Sequence, residues 1–371
     1  MSVKTVTFGL ILSLTVSLAI GVETVAAQET AHEVVVKRIV TERKEEVTPG
    51  VWQPYQEVEV EILTGKDKGE ILMAVLGGDF VSTEKQIMQV GDKVVVSHNR
   101  AVDGTDKYYV VDFVRRDNLL ILTLIFLVSV VVVGGIRGVT SFLGLVVSFG
   151  VLVKFILPQI LAGSNPVWVA IIGSMVILFT SLYLAHGLNR KTTAAVMGTF
   201  ISLFLTAALA WASVNMTRLT GLGSEEAGYL AMSGGINLNL AGILLAGMII
   251  GSLGVLDDIT ISQAACVFEL KAANPGQSFK QLFYRGLRIG QDHIASVVNT
   301  LVLAYAGVSL PLLLLFVVSG GEPISSLVNR EMIATEVVRT LVGSIGLVAA
   351  VPITTAIAAF MNSSTFKVER S

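Results

Sequence analysis

Residues 119–135 read LLILTLIFLVSVVVVGG, a run without a single charged side chain. A helix that crosses the hydrocarbon core of a bilayer needs roughly 20 predominantly apolar residues. Most of the charged residues lie before Asp117, and most of the apolar residues lie after it. The run therefore predicts a membrane-spanning helix, and it divides the chain into a soluble part and a membrane part.

The membrane part contains further apolar stretches of similar length. The chain as a whole has 53% hydrophobic and 15% charged residues, whereas ordinary globular chains carry about 25% charge. We predict an all-α bundle of about seven transmembrane helices. Their approximate bounds are Leu119–Gly135, Val139–Leu157, Val167–His186, Thr192–Met216, Leu238–Leu256, Ala295–Ser319 and Val337–Phe360.

The soluble part shows short runs of β-formers separated by turn signals. Residues 56–63, QEVEVEIL, alternate strictly, with Val58, Val60 and Ile62 on one face and glutamates on the other. Period-two alternation predicts a half-buried strand. Four similar runs lie at 32–40, 70–76, 93–97 and 107–115. Five short strands predict a small antiparallel β-barrel, OB-like in architecture.

The N-terminus has the pattern of a signal peptide. Lys4 precedes an apolar stretch, and Val25, Ala26 and Ala27 supply small residues for cleavage after Ala27. The alternative is an uncleaved signal anchor. We therefore divide the chain into a signal segment (1–27), an extracytoplasmic β domain (28–117), a transmembrane domain (118–361) and a cytoplasmic tail (362–371).

The orientation follows from the distribution of basic residues. Arg137, Arg190, Lys191 and the basic residues of 257–294 all fall in loops of one side. Basic residues favour the cytoplasmic side, so the β domain faces outward and the C-terminus inward. The lone cysteine, Cys266, excludes an internal disulfide and zinc sites built on paired cysteines.

The first candidate site follows an apolar helix that ends near residues 254–258, GVLDD. Asp257 and Asp258 are adjacent carboxylates, and unpaired charge in a bilayer is costly. On a helix, Asp258, Ser262 and Glu269 share one face, and such a strip can bind a cation or relay a proton. The alternatives are that Asp258 caps a second helix or that both aspartates are solvated among the lipid headgroups.

A second candidate group lies near the start of the sixth predicted span. Asp292 and His293 precede it, and His293 can bind a metal or transfer a proton near neutral pH. Asn299 lies inside the span and needs a polar partner there. Alternatively, Asp292 is an N-cap and Asn299 ties two helices together.

Several functional classes find no support in the sequence. The chain has no Walker loop, no dinucleotide-binding glycine pattern, no His-Glu-x-x-His and no Gly-x-Ser-x-Gly. The net charge of -2 gives no argument for nucleic acid. We therefore expect no nucleic-acid partner, no cofactor and no enzymatic activity, although the clustered Asp, Glu and His residues would permit an enzyme acting on lipids or envelope polymers.

Two segments resemble the YibE/F-like family of bacterial membrane proteins. They are residues 251–260, GSLGVLDDIT, with Ser262 and Glu269, and residues 290–294, GQDHI, with the apolar stretch that follows. An outward domain ahead of the helices also resembles the longer, YibE-type members. The resemblance implies a multi-pass protein of the bacterial plasma membrane and a shorter, YibF-like membrane protein as a partner, but it implies no substrate.

These observations lead to two functional hypotheses. The first is a transporter or channel in which Asp257, Asp258, Ser262 and Glu269, completed by Asp292, His293 and Asn299, form a cation or proton site. It requires these groups to converge in a cavity within the membrane. The second is a non-transporting scaffold or receptor-like envelope factor that binds a partner membrane protein.

Overall fold

The computed structural model describes residues 31–78, 81–100, 106–232, 238–318 and 323–363. The predicted signal segment (1–27) and most of the predicted cytoplasmic tail lie outside the described residues. The chain forms two compact units, which divide between Ser129 and Val130.

The first unit contains a closed five-stranded barrel. Its strands are β1 (Ala31–Thr48), β2 (Val51–Ile62), β3 (Ile71–Leu76), β4 (Lys93–Arg100) and β5 (Asp106–Phe113). They pair in the order β1-β2-β3-β5-β4, with β4 closing the barrel onto β1. The predicted β-barrel is confirmed, but it is not wholly antiparallel. The pairing of β3 with β5 is parallel. Both strands run in the direction of β1, because β2 is antiparallel to β1 and β3 and β4 is antiparallel to β1 and β5.

The alternation in residues 56–63 marks the inner and outer faces of β2 correctly. Val58, Val60 and Ile62 are buried in the barrel core. The glutamates point outward, where Glu59 pairs with Arg38 at 2.9 Å and Glu61 pairs with Lys37. Cross-strand pairs of opposite charge stabilise a sheet modestly, so burial of the apolar core contributes more to the stability of the barrel than these pairs do.

A buried amide anchors the connection between β3 and β4 onto the barrel. The side chain of Gln56 is fully buried, and its Nε2 donates to Glu42 Oε2 at 3.0 Å and to the Met88 carbonyl at 3.3 Å. Its Oε1 accepts from the Met88 N–H at 2.7 Å. The amide therefore needs both its donor and its acceptor at this position.

We expect Gln56→Glu to destabilise the barrel by about 3 kcal/mol, because a buried carboxylate would face Glu42 and a carbonyl. Gln89→Glu, at an exposed position of the same connection, is the matched control and should have little effect. Chemical denaturation of the full-length protein measures the difference in stability between the two variants. Protease cleavage within the barrel reports its unfolding at each denaturant concentration. Equal stability of the two variants would contradict this role of Gln56.

The second unit, which begins at Val130 within the first α-helix, is a helix bundle. Of the described residues, 68% are helical. We number the α-helices α1 to α10 in chain order. Their bounds are α1 Arg116–Val151, α2 Leu157–Leu161, α3 Pro166–His186, α4 Arg190–Met216, α5 Glu225–Met232, α6 Leu240–Ala273, α7 Phe279–Val308, α8 Leu310–Val318, α9 Ile324–Val328 and α10 Glu331–Ser363. A π-helical turn, Leu152–Ile156, joins α1 to α2. Pro158, which has no N–H to donate, is the second residue of α2.

The first two predicted spans belong to one helical segment with a sharp bend. At Gly135, φ is 56° and ψ is -139°, a conformation that favours glycine. A Cβ added to Gly138 would lie 2.3 Å from the Val130 carbonyl oxygen. In a straight helix residues 130 and 138 would be about 12 Å apart. The chain therefore folds back at the predicted break, although without a separate loop.

Five helical segments among the described residues are long and apolar enough to cross a membrane. They are Arg116–Leu161, Pro166–His186, Arg190–Met216, Leu240–Ala273 and Glu331–Ser363. This number differs from the predicted seven for two reasons. The first two predicted spans fall in Arg116–Leu161, and the predicted span Ala295–Ser319 is divided between α7 and α8.

Four helices, α3, α4, α6 and α10, form the centre of the bundle. Their buried side chains share one hydrophobic cluster, which includes Leu178, Leu203, Ile249 and Leu347. By contrast, the most apolar part of Arg116–Leu161 buries none of its residues within the structure. A helix that is apolar on all sides and uncovered by protein is suited to contact with lipid. Together these features describe a multi-pass membrane protein.

Candidate functional site

All seven predicted site residues lie on α6 and α7. The helix α6 continues without interruption from Leu240 to Ala273, and its C-cap is Asn274. The prediction of a helix end near residue 256 is therefore wrong, and so is the alternative that Asp258 caps a second helix. Ile259 to Ala273 contain no residue that breaks a helix, so the apolar helix simply extends through the two aspartates.

Asp257, one of the predicted site residues, faces the neighbouring helix α3 inside the bundle. It lies near the middle of the 34-residue α6 and is half-buried. Its Oδ1 is buried without a hydrogen-bond partner among the described residues. Its Oδ2 accepts from Ser181 Oγ of α3 at 3.5 Å, which is a long and weak hydrogen bond.

Ser181, the hydrogen-bond partner of Asp257, is itself packed against α1. A Cβ added to Gly144 of α1 would lie 3.4 Å from Ser181 Cα and 3.7 Å from its Oγ. Within the described part of the chain, no basic side chain forms an ion pair with Asp257. A carboxyl group with so little hydrogen bonding in an apolar bundle is costly unless it carries a proton or binds a cation.

The other predicted residues of α6 lie on a different side of the helix. Asp258 and Glu269 are exposed, and Ser262 is half-buried. Their spacing places them on one helical face, as predicted. However, Asp258 and Glu269 are about 16 Å apart along the helix axis, which is too far for both carboxylates to bind one cation directly.

The predicted residues of α7 also lie within a continuous helix. This helix begins at Phe279 with Ser278 as its N-cap, so the alternative that Asp292 is an N-cap is wrong. Asp292 and Asn299 are exposed, and His293 is half-buried. In the described ranges, no group of three or more His, Cys, Asp or Glu side chains could hold a metal ion. The structure therefore does not bring the seven residues together into one site.

A buried polar seam between the central helices was not predicted from the sequence. Gln263 of α6, 2% exposed, donates through Nε2 to the Gly286 carbonyl of α7 at 2.8 Å and to Thr355 Oγ1 of α10 at 2.7 Å. Thr199 of α4 and Thr260 of α6 share a hydrogen bond of 2.6 Å. Such bonds stabilise helix contacts inside a membrane, so this seam ties four helices together.

The seam is closely packed. A Cβ added to Gly198 of α4 would lie 2.2 Å from Thr354 Oγ1, and one added to Gly346 of α10 would lie 2.1 Å from Thr206 Oγ1. The signal in the sequence was the three- and four-residue spacing of small and hydroxyl side chains on α4, all of them buried. They are Thr192, Ala195, Thr199, Ser202, Thr206 and Ala210. We interpret this seam as helix packing.

A cavity of about 300 Å³ lies between α7, α8 and the first turns of α10. Its lining is mainly apolar, with Tyr305, Glu336 and Thr340 among the polar exceptions. Glu336 pairs with Arg339 at 3.1 Å, so its carboxylate already has a basic partner. None of the seven predicted residues lines this cavity, which is therefore separate from Asp257.

Comparison with known protein families gives a match. The model of the family described as YibE/F-like protein matches residues 122–364, which is more than half of the chain. No curated protein and no solved structure matches the chain significantly. The matched range includes α6, α7 and all seven predicted site residues. The chain therefore belongs to the YibE/F-like family.

Proposed function

We propose that the protein carries protons or a small cation across the plasma membrane, with Asp257 as the carboxyl group that binds them. The observation that supports this proposal is the position of Asp257. It lies midway along a membrane-spanning helix, with one buried oxygen lacking a hydrogen-bond partner and no ion pair within the described residues. Ionisable residues in such positions mark ion and proton pathways in membrane proteins.

The proposed arrangement in the membrane has seven passes. The bend at Gly135 would divide the first apolar segment into two passes, and α7 together with α8 would add another. The barrel would then lie outside the cell and the C-terminus in the cytoplasm, as the distribution of basic residues favours. The protein would act without a cofactor and without enzymatic activity, consistent with the missing catalytic motifs.

Purified protein in liposomes tests the proposal. We expect a proton gradient, or a gradient of one ion from a panel of monovalent and divalent cations, to decay faster than in liposomes without protein. The panel identifies the transported ion. Equal decay with and without protein for every ion tested would contradict a transport function.

A second candidate function is that of a membrane scaffold with a YibF-like partner. The observation that favours it is the exposure of Asp258, Asp292 and Asn299 on helices of the bundle. Polar side chains on uncovered membrane helices gain from contact with another protein. Affinity purification from native membranes, with the barrel present, should then recover a related membrane protein, and its absence would contradict this function.

A further inference from the structure

One side of α6 is left uncovered by the rest of the bundle. Gly247, Gly251, Gly254, Asp258 and Glu269 are all exposed. Their spacings of four, three, four and eleven residues, the last equal to three further helical steps of four, three and four, place them on a single helical face. A Cβ added to any of the three glycines would meet no atom of the described residues within 4 Å. These five residues define the α6 face. Its three glycines leave room for another helix to pack closely, and its two carboxylates lie further along the same face.

A polar side of α7 is also uncovered. Arg285, Arg288, Asp292, Ser296 and Asn299 are all exposed, and their spacings of three, four, four and three residues place them on one face. The opposite side of the helix carries the buried residues Gly286, Gly290 and Leu301, which pack towards α6 and α10. This α7 face, defined by its five residues, therefore points away from α6 of its own chain.

The two faces lie at matching depths. Gln263 contacts the Gly286 carbonyl, and a Cβ on Gly290 would lie 2.9 Å from Gln263 Oε1, which aligns residue 263 with residues 286–290. The two helices run in opposite directions at about 1.5 Å per residue. Asp258 therefore lies level with Asp292, and Gly251 lies level with Asn299. Arg285 and Arg288 fall between the levels of Asp258 and Glu269.

The charges on the two faces are complementary. Asp258 and Glu269 give the α6 face two carboxylates, whereas Arg285 and Arg288 give the α7 face two guanidinium groups. Among the described residues none of these four forms an ion pair. Arginine pairs well with carboxylates, because its planar group can make two hydrogen bonds to one of them. The three glycines of the α6 face precede its carboxylates along the helix. They would let the part of an α7 face that carries Ser296 and Asn299 pack closely against α6.

We propose that the α6 face of one copy of this chain binds the α7 face of a second copy. A second copy is the partner that the structure favours, because it presents an α7 face with matching charges at the matching depth. A single chain cannot form this contact, since its own α7 face points away from α6. The resulting interface is independent of the transport function, because it uses Asp258 and not Asp257.

Disulfide crosslinking between two differently tagged copies tests the interface. Both copies carry Cys266→Ser, which removes the lone thiol. One copy adds Gly251→Cys and the other adds Asn299→Cys. Oxidation in native membranes should give a dimer that contains both tags. The control pairs Asn299→Cys with Trp211→Cys, an exposed position on α4, and should give no such dimer.

The same crosslinking assay tests whether the carboxylates of the α6 face pair with the arginines of the α7 face. Arg288→Glu in the copy with Asn299→Cys should strongly reduce the crosslinked fraction, and adding Asp258→Arg to the copy with Gly251→Cys should restore it. Gel filtration of the purified variants confirms that they fold. Failure to form the mixed dimer, or crosslinking only to a different and smaller membrane protein, would overturn the proposal.

Discussion

Liposomes that contain Asp257→Asn should transport no faster than liposomes without protein, whereas liposomes that contain Asp258→Asn should transport at the wild-type rate. Asparagine has nearly the same shape as aspartate but can neither carry a transferable proton nor neutralise a cation. The two residues are adjacent in the sequence, so the pair of variants compares an inward carboxyl group with an exposed one.

The surroundings of Asp257 indicate that the Asp257→Asn protein should still fold. Ser181 is its one hydrogen-bond donor among the described residues, and the contact of 3.5 Å is weak. Asparagine should therefore be tolerated at this position without unfolding. Gel filtration and thermal unfolding of both variants provide the control. Transport by a folded Asp257→Asn protein at the wild-type rate would contradict the role of Asp257, and equal losses in both variants would contradict the distinction between the two aspartates.

The second large effect is expected on stability. Gly198→Val should destabilise the helix bundle by about 3 kcal/mol, because overpacking a closely packed core forces side chains and backbone to shift. The added Cβ would lie 2.2 Å from the Oγ1 of Thr354 and 3.0 Å from its Cβ. Thr354 is fully buried, and β-branched side chains adapt poorly in a helix.

Thermal unfolding measures the effect of Gly198→Val, with gel filtration after heating as the readout of the protein that remains folded. Gly150→Val is the matched control, because a Cβ at Gly150 meets no atom of the described part of the chain within 4 Å. It should leave the unfolding temperature nearly unchanged. Adding Thr354→Ala to Gly198→Val should recover part of the lost stability by making space. An unfolding temperature unchanged by Gly198→Val would show that α4 and α10 do not pack in this way.

The barrel was predictable because its signals are local. Strict alternation in residues 56–63 identifies the buried face of β2, and the barrel core contains Val58, Val60 and Ile62 as expected. The parallel pairing of β3 with β5 was not predictable in this way. It depends on the order in which strands separated along the chain come together, and hydrophobic periodicity carries no such information.

The helices were predictable in position but less so in their ends. Apolar length located α3, α4 and α10 well, but it placed the end of α6 at Leu256 although this helix continues to Ala273. Charged residues at 257 and 258 looked like the end of a helix because hydropathy, which locates membrane spans, falls there. The backbone, however, had no glycine or proline to stop it between Ile259 and Ala273.

The candidate site illustrates a limit of spacing arguments. Spacing on α6 correctly separated the face of Asp258 from the side of Asp257, but it could not show which side faces α3. That choice depends on the packing of Ser181 and of the central helices, which a single sequence does not specify. The seam of Thr199, Thr260 and Gln263 was missed for a related reason. Single hydroxyl and amide residues look unremarkable until helices distant in sequence meet.

The most direct measurement of the central claim is the reaction of membrane-embedded protein with a hydrophobic carbodiimide, with the modified residues identified by mass spectrometry. Such a reagent reacts with protonated carboxyl groups in apolar surroundings. If Asp257 binds the transported ion, the reagent should modify Asp257 before Asp258 and Glu269. The transported ion should slow the modification of Asp257. Transport should stop as Asp257 is modified. Modification at Asp258 or Glu269 with Asp257 intact, or complete modification of Asp257 with transport unchanged, would contradict the account.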